Sequence, residues 1–198
     1  MIDCYTFYEG DSPLLVTVPH DGRMIPGDIA VRMTAAGRSI PDTDWHVAHL
    51  YEFVTELGAS LIVANYSRYV VDLNRPADDA AMYEGQLSTG LCPHQTFDGR
   101  DIYEGEPDID VNGRLDEYWR PYHDKVQKTL DALREQHGHA LLWDAHSIKS
   151  HMPTLFDGEL PVLNVGTFDG QSCDPARADA VMEVATASQY PAIFNGRF

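Results

Sequence analysis

Cations are scarce in this sequence. Fourteen Lys and Arg stand against 31 Asp and Glu in 198 residues, a formal charge of −17. A surface of that sign repels phosphate backbones and anionic lipid headgroups, which excludes nucleic acid and membrane surfaces as expected partners. An anionic small molecule is repelled at long range too, so it has to be captured by a few Arg side chains placed in a pocket. Cysteine is equally sparse: Cys4, Cys92 and Cys173 are an odd number, widely spaced, with no CxxC. That argues against a disulfide framework or a thiolate metal site and fits a reducing cytoplasm. No charged start followed by an apolar run opens the chain, and no stretch approaches the ~18 apolar residues of a membrane helix, so neither secretion nor membrane spanning is expected. Internal repeats and low-complexity tracts are also absent. The GxSxG of many serine hydrolases is missing, and Ser147, adjacent to His146 on a predicted strand end, points away from it.

What is present is an ordinary globular composition, 43% hydrophobic and 23% charged, in a length that suits one domain over residues 1–198. The apolar run 13–19 (PLLVTVP) reads as a buried strand that ends at His20-Asp21-Gly22. In 45–58, Val47, Leu50, Tyr51, Val54 and Leu57 recur at helical spacing, with 42–44 as the N-terminal turn and Gly58 as the stop. Runs 60–66 and 69–73 have strand character, and residues 74–113 form a long irregular excursion. An amphipathic helix is predicted over 114–137, stopped by Gly138, with Pro121 marking a bend or junction. A buried strand over 140–143 then delivers Asp144-Ala145-His146-Ser147, and strand, helix and strand follow at 160–165, 175–188 and 191–195. Strands alternating with helices predict an α/β fold, a mostly parallel sheet flanked by helices, whose ligands sit at the carboxyl ends of the strands.

His20 and His146 each follow an apolar strand directly, and both lie beside an acidic residue. Neutral imidazoles are common zinc ligands, and a third protein ligand would leave one tetrahedral position for water; Asp44 or Asp42 can supply it. Asp144, two residues before His146, points to the same strand face and is the candidate catalytic carboxylate, able to orient the imidazole. Taken singly, each of these residues also reads as a satisfied polar group at a strand end or a helix cap. His46 and His49 belong to the helical pattern of 45–58 and read as ordinary side chains. Arg68 and Arg75 bracket the run 69–73 and can clamp a carboxylate; the competing reading pairs them with Asp72 or Asp78.

The blocks VTVPHDGRMIP (16–26), PDTDWHVAHLYEF (41–53), NYSRYVVDLNRP (65–76), GLCPHQTFDG (90–99), YWRPYH (118–123), LLWDAHSIKSHMP (141–153), LPVLNVGT (160–167) and NGRF (195–198) resemble, in order and along nearly the whole chain, the N-formylglutamate amidohydrolase family. The resemblance implies a fold similar to zinc-dependent exopeptidases and peptidoglycan amidases. It implies hydrolysis of N-formyl-L-glutamate to glutamate and formate in histidine degradation. It also implies His20, Asp44 and His146 as metal ligands, with Arg68, Asn74 and Arg75 on the substrate carboxylates. Zinc is the expected metal, although iron, cobalt or manganese also suit such ligands. Family members usually continue past NGRF through a Gly-rich segment to an acidic residue suited to proton transfer. The chain is therefore expected to lack a C-terminal part of the family domain. Two other readings follow: an anion-binding module without turnover, or an amidase for another N-acyl acidic amino acid.

Overall fold

The computed structural model describes residues 3–80 and 89–196. It divides into two compact units, Met1–Ile148 and Lys149–Phe198. The first is built on a four-stranded sheet of β1 (Tyr5–Tyr8), β2 (Leu14–Val18), β3 (Ser60–Ala64) and β4 (Leu141–Asp144) in the order β1-β3-β2-β4. β2 runs parallel to both β3 and β4, and β1 pairs with β3 antiparallel. The mostly parallel sheet agrees with the sequence reading. β1 was not foreseen, because four residues flanked by polar ones carry too little pattern.

Apolar side chains on β2 and β3 alternate between two cores, as the pleat requires. Leu15 and Ile62 pack with Tyr122 and Leu133 of α5 (Arg120–His137), whereas Val16, Val18 and Leu61 pack with Val47 of α3 (Val47–Tyr51) and with Val54. The connection β2→β3 thus covers one face and β3→β4 the other. Since β3 and β4 lie on opposite sides of β2, the two connections diverge at the carboxyl end of β2, which is where open α/β sheets form a ligand crevice. A third cluster gathers Ile29 of α1 (Gly27–Ala30) with Met33, Tyr69, Val70 and Ile102, beside α2 (Ala35–Arg38).

Three local expectations changed. The helix expected over 45–58 is α3 followed by a 3-10 turn, Glu52–Thr55, and Leu50 and Leu57 are both 67% exposed. Tightening from 3.6 to 3.0 residues per turn breaks the periodicity on which that expectation rested. Residues 69–73 form no strand. Tyr69, Val70, Val71 and Asp72 are buried, but the carbonyls of Tyr69 and Val70 accept from the buried Arg114 guanidinium, and Asp72 N–H donates to the Leu91 carbonyl. Burial on all sides produced the apolar run, and side-chain donors replaced the ladder. The helix expected over 114–137 is α4 (Val111–Arg114), a π-helical turn Leu115–Trp119 and α5. Pro121 lies in the first turn of α5, where its missing N–H is tolerated, and Gly138 ends the helix at φ 77°.

In the second unit, β5 (Leu163–Val165) and β6 (Ala192–Phe194) pair in parallel around α6 (Pro175–Ala187). The Asp174 carboxylate caps α6 by accepting the Ala176 N–H. Arg197 and Phe198 of the NGRF block lie outside the described residues.

Ile62 is fully buried at the centre of the sheet. Ile62→Ala is expected to cost about 2–5 kcal/mol, read as a lower urea midpoint with an unchanged slope.

Candidate metal centre

His20 leaves the end of β2 and His146 the end of β4, so adjacent parallel strands bring together two imidazoles 126 residues apart. The loop after β2 folds tightly against β3: a Cβ on Gly22 would stand 2.1 Å from the Tyr66 carbonyl oxygen, which only glycine avoids. Asp21, also buried, accepts the Ala48 N–H at 2.9 Å and so fixes the start of α3 against this loop. The Asp44 N–H donates to the His20 carbonyl at 3.0 Å, which brings the Asp44 carboxylate under the two rings.

The resulting geometry is compact. His20 Nδ1 lies 3.2 Å from His146 Nδ1. Asp44 Oδ2 lies 3.8 Å from the first and 3.4 Å from the second. Three donors around a tetrahedral ion at 2.0–2.1 Å are separated by about 3.3 Å, so these spacings suit one metal ion. Each outer ring nitrogen meets a carboxylate: His20 Nε2 is 2.7 Å from Asp72 Oδ1, and His146 Nε2 is 2.9 Å from Asp144 Oδ2. An ionised carboxylate only accepts, so both Nε2 atoms carry a proton; Nδ1 of His20 then presents a lone pair, as does Nδ1 of His146 whenever that ring is neutral. Three lone pairs then face one point, an arrangement that repels itself unless a cation, either a proton or a metal, sits there. Among the described residues, His20, Asp44 and His146 are the group able to hold a metal ion.

Electrostatics point the same way. Burial, and then the neighbouring Arg68, hold the His20 pKa below its ordinary value. Burial would raise Asp72, but His20 and Arg68 outweigh it and keep the carboxyl far below the usual range. Asp44 and Asp144 are lowered as well, bonds with His146 overcoming burial in each. His146 behaves oppositely to His20: burial opposes its charge, but Asp144 and Asp44 lift its pKa to about 9. Once His146 has given up its proton, Asp44, Asp72 and Asp144, set against Arg68, leave two net negative charges around the rings, which a divalent cation would cancel.

Asp42, the other candidate third ligand, faces elsewhere. Its Oδ2 accepts from the Tyr69 hydroxyl and from the Phe97 N–H at 2.7 Å, pinning the 91–103 segment. Arg68 is buried, with Nη2 3.3 Å from Asp44 Oδ1 and Nη1 4.0 Å from Asp72 Oδ2, and its guanidinium lies over the Phe97 ring. Asn74 N–H donates to Asp72, and Arg75 Nη1 donates to the Asn74 carbonyl. His49 is exposed and pairs with Glu52, and His46 is exposed beside Trp45. Sequence reasoning gave Asp72 no part beside the histidines; a single carboxylate within the apolar run YVVDL was its only signal. It also missed the Ser147 N–H, which donates to Asp44 Oδ2 at 2.9 Å, and Thr17, whose hydroxyl donates to Asp144 at 2.6 Å.

The class these features define is an α/β protein with a two-histidine, one-carboxylate centre at its strand ends, each histidine backed by a further carboxylate. The chain belongs to the N-formylglutamate amidohydrolase family, whose profile matches residues 12–198. It is 49% identical over 197 residues to an N-formylglutamate deformylase of Pseudomonas putida, covering 98% of this chain and 73% of that protein. A second N-formylglutamate deformylase, from Pseudomonas aeruginosa, is 47% identical over 202 residues, covering 100% of this chain and 76% of that one. The crystal structure of an N-formylglutamate amidohydrolase from Ralstonia eutropha shares the fold at a TM-score of 0.84 and 24% identity, with 98% of this chain and 77% of that chain covered. A gene product of Agrobacterium tumefaciens matches at 0.75 and 19% identity, covering 99% and 74%.

Metal uptake would displace the proton held by His146, whose pKa without metal is about 9. Near pH 7 each divalent ion bound should release about one proton, and affinity should rise with pH until that value is passed. Calorimetry in buffers of different ionisation enthalpy reads both effects. Asp44→Asn is expected to weaken metal binding strongly. Asp42→Asn should leave it intact while lowering stability by about 1–3 kcal/mol, measured by urea titration.

Proposed function

We propose that the chain is a zinc-dependent amidohydrolase that cleaves N-formyl-L-glutamate into glutamate and formate. The observation that carries this reading is the convergence of His20, His146 and Asp44 on one point, in a chain 49% identical to a protein named N-formylglutamate deformylase. His20 and His146 would hold the ion through Nδ1 and Asp44 through Oδ2, a donor set that suits zinc. When bound, the metal supplies Lewis-acid chemistry, polarising an amide carbonyl and making water more acidic.

The protein groups divide the remaining work. Asp144, the candidate catalytic carboxylate, holds the proton on His146 Nε2 and keeps the ring aimed inward. The Ser147 N–H and the Arg68 guanidinium fix Asp44 from two sides. Arg68, Asn74 and Arg75 are assigned to the substrate carboxylates. Arg68 Nε is buried without a hydrogen-bond partner among the described residues, and such a donor gains from an incoming anion. These cations supply locally what a chain of charge −17 cannot supply at long range.

Several finer assignments belong to the same reading: kinship of the fold with zinc-dependent exopeptidases, a place in histidine degradation and a cytoplasmic setting. The family match at 12–198 spans most of the first compact unit and the whole of the second, which supports reading the chain as a single amidohydrolase domain.

Metal-stripped protein reloaded with zinc and given N-formylglutamate should release formate in proportion to the zinc bound. Absence of metal-dependent release would overturn the reading. His20→Ala and His146→Ala should lose both metal and turnover. Arg75→Ala should chiefly raise KM, by roughly 10- to 100-fold, as expected for loss of a charged hydrogen bond to substrate.

A further inference from the structure

We propose that Asp72 is a positioning residue that couples the metal centre to the substrate arm through one carboxylate oxygen. The proposal rests on the metal-hydrolase reading above and adds a role for a residue outside the ligand set. Asp72 is completely buried, and its Oδ1 accepts two donors, His20 Nε2–H at 2.7 Å and the Asn74 backbone N–H at 2.9 Å. The first bond dictates which nitrogen of His20 faces the cation. The second bond fixes the backbone of Asn74, next to Arg75, where the anion-binding side chains are assigned. Both tasks fall on one atom, so the orientation of His20 and the placement of the Asn74–Arg75 segment share a single anchor.

A simple ion-pair role for Asp72 does not account for this geometry. Its other oxygen, Oδ2, stands 4.0 Å from Arg68 Nη1 and has no hydrogen bond among the described residues. The bonded oxygen is the one turned to His20 and Asn74. The far side of the same segment is also held. Trp119 Nε1 donates to the Arg75 carbonyl at 2.9 Å and His123 Nε2 to the Leu73 carbonyl at 3.0 Å, their rings 3.9 Å apart. Trp119 ends the π-helical turn and His123 lies one turn further on, so residues 73–75 are held between the junction of that turn with α5 on one side and Asp72 on the other. Asp144, 40% exposed on its side chain and bonded to His146 and Thr17, makes no such link to the Asn74–Arg75 segment among the described residues.

The test uses Asp72→Asn in the full chain, which keeps side-chain size while removing the charge. The amide oxygen can still accept from both donors, but as a neutral acceptor it holds a metal-ligating imidazole and the Asn74 N–H more weakly. Zinc affinity, measured by competition with a chromophoric chelator, should fall 10- to 100-fold, about the usual cost of losing such a partner. At saturating zinc, KM for N-formylglutamate should also rise, by roughly tenfold. Zinc affinity within about twofold of wild type, or a KM unmoved at saturating zinc, would overturn the proposal. A second measurement needs no variant: nitrogen-15 spectra of the zinc-loaded wild-type rings should show His20 protonated at Nε2 and metal-bound at Nδ1. The reverse assignment overturns it. Wild-type protein that takes up no zinc removes the metal reading itself, and this proposal with it.

Discussion

Mutual repulsion among three lone pairs is the constraint around which the first unit is organised. His20 Nδ1, His146 Nδ1 and Asp44 Oδ2 are held 3.2–3.8 Å apart, and while both rings are neutral neither can donate to the other, because Asp72 and Asp144 occupy both outer nitrogens. Left without a cation, such a cluster would be destabilising, because buried acceptors would face one another in a medium that screens poorly. The fold tolerates it because a proton on His146 relieves it at neutral pH and a divalent ion can replace that proton.

The two histidines are supported unequally. Asp72 is wholly buried, so its bond to His20 is screened little, and Arg68 stands nearby to offset its charge. Asp144 and His146 are each at least a third exposed, and water weakens their pairing. Burial thus lowers the pKa of the His20 ring, whereas His146 is the ring whose carboxylate neighbours raise its affinity for a proton.

Charge distribution completes the picture. The chain is strongly acidic overall, yet two of its few arginines, Arg68 and Arg75, flank the Asp72 segment, and Arg68 is buried between the carboxylates that surround the rings. A buried guanidinium bounded by Asp44, Asp72 and the face of Phe97 is costly to desolvate and is retained only where paired. Its position ties the candidate ligand Asp44 to the neighbourhood of Asp72, so the centre and the segment that follows it form one polar network rather than two sites.

Much of this was legible in the residues themselves. Apolar runs that end in PHDG and DAHS announce strands feeding polar turns, although the second, β4, is largely exposed rather than buried, and alternation of strands with helices implies parallel pairing, so strand-end histidines can be expected to meet. Other features depended on neighbours remote in sequence. Asp42 and Asp44 have the same local signature; only the Tyr69 hydroxyl and the Phe97 N–H, which claim Asp42, separate them. Residues 69–73 have the composition of a strand but lie irregular, since Arg114, 44 positions beyond Val70, satisfies their carbonyls. Asp72 looked like a salt-bridge partner until the chain brought His20 to within 2.7 Å of it. Side-chain period and turn chemistry are local quantities, so the sequence by itself determined the sheet class and the two histidine turns. Which carboxylate meets which ring is a matter of long-range packing, and only the tertiary structure decided it.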